Sequence, residues 1–138
     1  MTTMDARLTS ISPHVLSLFR IVFGLLYTLH ATQKLFAWPA KTDGGAAIPF
    51  GTWPYWWAGL IELVAGLMIL TGLVTRFAAF VASGEMAFGY FSQHQPKGLL
   101  PIENGGELAV LFCVGFFLLV FTGGGAYALD AMRSKSKR

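Results

Sequence analysis

Three carboxylates, one arginine and one lysine lie inside or at the edge of strongly apolar stretches of this chain, where ionised groups are costly. Arg20 sits in the first such stretch with Lys34 near its end, Glu62 in the second, Glu85 in the third and Glu107 in the last. A charge in hydrocarbon costs at least about 2.5 to 3.5 kcal/mol, so it normally faces a protein interior or a wet cavity. At 100° per residue Arg20, Gly24, Tyr27, Ala31 and Lys34 share one line of a helix, with His30 at its margin. Ala58, Gly59, Ala65 and Gly66 surround Glu62 on its own face and permit close helix approach. Glu103 and Glu107 are spaced as helical neighbours. A cluster of His30, Lys34, Glu103, Glu107 and His94 is the geometry these spacings suggest.

Two kinds of chemistry compete for these residues. In one, Arg20 and Lys34 each pair with a carboxylate and lock the bundle, as buried ion pairs often do. In the other, Glu62, Glu85 and Glu107 outnumber Arg20 within the apolar zone, and a carboxylic acid left without a counterion receives a quinone carbonyl or relays a proton. On that reading Arg20, His30, Lys34, Glu62, Glu85 and Glu107 are candidates for a polar pocket. No catalytic residue follows from the pattern. His30 and His94 lack the paired spacing of a haem or metal site, so no metal is expected. Cys113 stands alone, which excludes an intrachain disulfide, a CxxC pair and a zinc knuckle. Phosphate-binding loops, nucleophile elbows and metalloprotease motifs are absent from the sequence.

The elements that must position these groups are membrane helices. Hydrophobic residues make up 54% of the 138 residues and charged ones 12%, against roughly 25% charged in soluble domains. The apolar residues fall in blocks near the length of about 20 residues that a bilayer demands. The expected spans are His14 to Trp38 starting after Pro13, Trp53 to Leu73, Phe77 to Ser92, and Glu103 to Thr122 ending at Gly123-Gly124-Gly125. Trp53, Tyr55, Trp56 and Trp57 read as an interfacial belt. Arg20 interrupts the first span, which argues against a secretion signal. The expected fold is an all-α integral membrane four-helix bundle over residues 1–132, followed by a basic cytoplasmic tail, 133–138, solvated and mobile.

Charge placement orients the bundle. One side holds Arg7, Arg76, Arg133, Lys135, Lys137 and Arg138, the other only Lys34, Lys41 and Lys97, so both termini are expected in the cytoplasm. The formal charge of +3 resides mostly in the C-terminal run, with no basic stripe interleaved with aromatics, and nucleic acid is not an expected partner. The lipid bilayer is. Four short helices enclose little volume, which favours a homo-oligomer or a complex with a soluble enzyme.

The order of several short motifs resembles the DoxX family: Arg20-Ile21-Val22-Phe23-Gly24, then His30 and Lys34-Leu35-Phe36, Gly59-Leu60-Ile61-Glu62 with Gly66-Leu67, Gly72-Leu73-Val74-Thr75-Arg76, and Asn104-Gly105-Gly106-Glu107. The resemblance runs from about Leu16 to Asp130. It implies a small multi-pass protein of the bacterial inner (plasma) membrane, kinship with the small subunit of thiosulfate:quinone oxidoreductase, and a membrane complex with a superoxide dismutase and a sulfurtransferase in mycobacteria. It supplies no agreed catalytic set. Three functions remain open at this point: a membrane subunit or scaffold in redox or sulfur and oxidative-stress metabolism with a quinone pocket, a non-enzymatic anchor for a cytoplasmic partner, and a small-solute or proton transporter.

Overall fold

The computed structural model describes residues 2–137, so Arg138 of the basic tail lies outside the described residues. All regular structure among them is helical: α1 (Thr3–Phe36), α2 (Tyr55–Thr71), α3 (Thr75–Gly89), α4 (Pro101–Asn104), α5 (Glu107–Thr122) and α6 (Leu129–Ser136). A π-helical turn, Tyr90–His94, and a 3₁₀ turn, Gln95–Lys97, continue from the end of α3.

The first helix is longer than the hydropathy suggests. It begins at Thr3 behind a capping box between Thr2 and Asp5 and passes through Pro13 without breaking. Proline removes the donor that would reach the Thr9 carbonyl. The Ser12 hydroxyl donates to that carbonyl instead, at 2.9 Å. Helix α1 is the one described helix long and apolar enough to cross a bilayer by itself; α2 and α5 are apolar but shorter, with 17 and 16 residues.

The helices pack as two antiparallel pairs, α1 with α2 and α3 with α5, joined by the tight α2–α3 turn. That turn closes with Gly72 in the left-handed region (φ +73°), its N–H donating to Ile69 O while Leu73 N–H reaches Met68 O. Small residues set the close contacts. A Cβ on Gly24 would lie 2.7 Å from Leu70 N, and one on Gly66 3.2 Å from Thr28 N. The core is correspondingly small: Tyr27, Ala65, Ile69, Ala78, Ala79, Ala82, Phe112, Phe116 and Leu119. Large apolar residues on every long helix point outward, among them Leu18, Leu25, Val64, Phe77, Phe80, Leu111, Val114 and Phe121. Bulky apolar side chains thus cover the exterior as well as filling the core, and small residues at the helix contacts let the backbones approach closely.

One expectation changes here. Glu103 and Glu107 do not share a helix face, because Asn104 ends α4, Gly105 turns the chain (φ +71°) and α5 starts at Glu107. The segment after Met132 is helical as far as Ser136, where α6 ends, with its side chains exposed.

Candidate functional site

At one end of the bundle the fold consumes the buried charge, leaving Thr75 Oγ1 without a partner among the described residues. Arg20, 1% exposed, donates from Nε to Gly124 O at 2.7 Å and from Nη1 to Ile69 O at 3.0 Å and Leu70 O at 2.5 Å. Leu70 O is an orphan carbonyl at the end of α2, Ile69 O already accepts from Gly72 N–H, and Gly124 O belongs to the glycine turn, so the guanidinium braces two elements at once. Among the described residues Arg20 pairs with no carboxylate, contrary to the ion-pair expectation. Ser17 Oγ accepts from Tyr127 N–H at 2.9 Å, and Ala126 N–H donates to Pro13 O at 3.0 Å, which pins the same turn to α1. Asp130 accepts from Val74 N–H and Thr75 N–H, both at 2.8 Å, capping α3 from a distance. Partial burial pushes the Asp130 carboxyl up, but these backbone donors and Arg133 outweigh it and hold it below the ordinary range.

The opposite end is built differently. Lys34 Nζ meets Glu62 Oε1 at 2.5 Å, with Glu62 1% exposed and Lys34 a quarter exposed. Glu62 Oε2 is buried and has no hydrogen-bond partner. Both residues line a cavity of about 260 Å³ with Tyr27, His30 and His94 as further polar groups and Met86, Leu108 and Phe112 as apolar walls. A second cavity of about 300 Å³ shares Lys34, Met86, His94 and Ala109 with the first and extends to Glu85. Tyr27 Oη donates to Glu85 Oε2 at 2.9 Å, bridging α1 and α3 beside the first cavity.

Local structure explains how His94 arrives there. The π turn widens the end of α3, a distortion that often accompanies functional sites. His94 Nδ1 then lies 3.2 Å from Asn104 O. A carbonyl only accepts, so Nδ1 carries the hydrogen and Nε2 is the bare nitrogen of the neutral ring. Buried Asn104 holds this corner together, donating from Nδ2 to Gly98 O at 2.9 Å and Tyr90 Oη at 3.2 Å and accepting from Gly106 N–H at 2.8 Å.

Of the six pocket candidates, His30, Lys34 and Glu62 line the first cavity, and Glu85 lines the adjoining one. Arg20 is at the other end of the bundle, and Glu107 is exposed at the start of α5, as is Glu103 on α4. Sequence reasoning did not single out Asn104, although Asn104-Gly105 is a turn signal whose side chain was available for just this bracing. It also left Met86, Leu108 and Phe112 unassigned, because their part in a wall depends on which helices are neighbours.

The described residues form an all-helical bundle with an apolar exterior and a partly buried lysine–glutamate pair lining a cavity. The DoxX family model matches residues 15–95, which span α1, α2, α3 and the π turn. The chain belongs to the DoxX family. The motif at Asn104 to Glu107 lies beyond the matched residues. An uncharacterized protein of Haemophilus influenzae is 44% identical over 121 residues, covering 86% of this chain and 90% of that one. An uncharacterized membrane protein of Mycobacterium tuberculosis is 28% identical over 130 residues, covering 84% and 79%. No solved structure matches the chain significantly. Family membership, with this second relative, indicates a membrane location.

Proposed function

We propose that the chain is a multi-pass protein of the bacterial inner membrane, a subunit or scaffold of redox or sulfur and oxidative-stress metabolism, whose cavity at the Lys34–Glu62 end receives a quinone head group. The spans are α1, α2, α3 with its π turn, and α5, with both termini in the cytoplasm. The outward apolar side chains of these helices support a lipid environment, and helices somewhat shorter than the hydrocarbon core are accommodated by local thinning or snorkelling.

The observation that carries the quinone reading is the cavity itself: a buried charge pair on one side, one carboxylate oxygen unsatisfied, and Met86, Leu108 and Phe112 opposite. A volume of about 260 Å³ accommodates a substituted six-membered ring. Lys34 has hydrogens to spare for a ring oxygen. The chemistry of the pocket is that of a polar head seated in an apolar slot, as small-molecule sites generally are. Protein purified in mild detergent and extracted with organic solvent should return near-stoichiometric quinone, and Glu62→Gln should lower that yield several-fold. Quinone no more abundant than in an unrelated membrane protein prepared alongside contradicts the proposal.

One observation favours a second reading, in which the protein anchors a soluble redox enzyme. Helix α6 is exposed and carries Arg133 and Lys135 in its last turn, with Lys137 next to it. Such a segment suits an acidic protein face or anionic lipid. Deleting residues from 133 onward should abolish co-purification of the enzyme while membrane insertion persists; undiminished co-purification rules this reading out.

A further inference from the structure

We propose that the ligand enters the cavity sideways from the bilayer, through the seam between α1 and α5, and keeps a hydrocarbon tail in the groove along α1 formed by Leu26, Leu29 and Pro39. This rests on the quinone reading and narrows it to a lipid-tailed quinone. The seam is plugged along one part only. Toward the Arg20 end the Phe23 ring sits in the notch left by Gly115, its centroid 5.7 Å from that of Phe112 and 6.1 Å from that of Phe116. The edge of His30 against Phe112, at 6.0 Å between centroids, follows on the cavity side. Leu108 lies two turns before Gly115 on the same edge of α5. It is nevertheless 48% exposed and lines the cavity together with His30. Where α1 and α5 close on each other this edge is covered, so the exposure of Leu108 marks an opening on the lipid side.

His30 connects this opening to a second hollow. Its half-buried side chain lines the cavity and also a groove of about 160 Å³ on the outer face of α1, where Leu26, Leu29, Pro39 and Ala40 are its apolar neighbours. At 100° per residue His30 stands between Tyr27, which is buried, and Leu26, which is 45% exposed. A substituted ring occupies most of the 260 Å³ cavity, so a tail must leave it, and this groove is the apolar surface it meets. The competing route is the rim of the second cavity, which is polar at Ser92, Gln93 and Lys97. Tyr55 Oη donates to Gln93 Oε1 there at 2.5 Å, tying the start of α2 to the π turn. A hydrocarbon chain lying across such a rim would break that tie and gain no apolar cover.

The test uses the intact protein in phosphatidylcholine nanodiscs and a benzoquinone carrying a diazirine at the end of a short alkyl tail. Irradiation and peptide mapping should place the label on residues 26–33 and 108–111, and an excess of the same quinone without the diazirine should remove most of it. Affinities are then compared for the tailed benzoquinone and for its tail-less parent. Leu26→Trp, which fills the groove, should lower the tailed-to-tail-less affinity ratio at least fivefold. Val64→Trp, on the outward face of α2, should leave that ratio within twofold of wild type. Competed label on Tyr55, Gln93 or Lys97 instead, or on no peptide although both quinones bind, overturns the lateral route. An unchanged ratio in Leu26→Trp overturns it as well. Binding of neither quinone overturns the quinone reading itself, and this inference with it.

Discussion

The two ends of the bundle each bury an ionised side chain, and they treat it in opposite ways. Arg20 is surrounded by carbonyl oxygens that need donors, so its charge completes the backbone of α2 and the Gly123–Gly125 turn. Glu62 receives one partner and leaves its other oxygen buried without one among the described residues. The difference teaches how to separate a structural charge from a functional one in an apolar protein: count what remains unsatisfied. Each end keeps one buried oxygen without a partner among the described residues, Thr75 Oγ1 beside the Arg20 turn and Glu62 Oε2 beside Lys34; counting the charged groups alone, the Arg20 end is closed and the Lys34–Glu62 end is open.

Substitutions at the closed end should therefore damage the fold, and those at the open end the ligand. The largest effect is expected for Arg20→Leu. It removes the guanidinium from Leu70 O, Gly124 O and Ile69 O, the last of which keeps Gly72 N–H, and breaking a buried charged network typically costs about 3 to 5 kcal/mol. The variant should show a sharply lower yield of folded protein and a lower midpoint in detergent thermal unfolding. A midpoint equal to wild type would show that the carbonyls find other donors and that the closed end is not held by Arg20.

Two glycines compare the ends directly. A Cβ on Gly125 would stand 2.6 Å from Pro13 O, at a φ of +84°. Gly125→Ala should cost about 2 kcal/mol or more from overpacking and backbone strain. Gly89, at the junction with the π turn, has open space around it and a helical φ of −59°. Gly89→Ala should stabilise by about 0.4 to 1 kcal/mol. Equal effects from the two substitutions would break the contrast between a packed end and an open one.

A smaller effect belongs to Asp130, whose folded carboxyl titrates below its ordinary value of 3.8. The sign follows from that depression: the ionised cap contributes stability above about pH 4 and loses it as pH falls through the lower folded value. Asp130→Asn should cost about 1 kcal/mol at neutral pH, as lost caps do, with the ionic part screened by solvent. The variant should also lose part of the acid-induced drop in unfolding temperature. If wild type and variant fall in parallel below pH 4, Asp130 is not the titrating cap of α3.

Much of this arrangement was legible in the chain. The line of Arg20, Gly24, Tyr27 and Ala31 is buried, and so is the face of Gly59, Glu62, Ala65 and Gly66, because helical periodicity and small-residue spacing are local properties. The destination of Arg20 was not legible, since its acceptors are backbone carbonyls from distant segments, and a carbonyl leaves no mark in a sequence. The separation of Glu103 from Glu107 hinges on Gly105 adopting a left-handed turn between them, a break that Asn104-Gly105 signals and that the helical spacing of the two glutamates obscured. The π turn that sets His94 at the cavity is braced by Asn104, which meets both Tyr90 Oη and His94 Nδ1, again beyond periodicity.

Native mass spectrometry of the protein released from mild detergent tests the central claim most directly, with Glu62→Gln at the open end and Arg76→Gln at the other. Arg76 donates to Val120 O and Phe121 O and is exposed, far along α3 from the cavity. Wild type and Arg76→Gln should both carry one adduct of quinone mass per chain, and Glu62→Gln should have lost most of it. An adduct retained in full by Glu62→Gln, or none in any of the three proteins, would contradict the assignment of the open end as a ligand site.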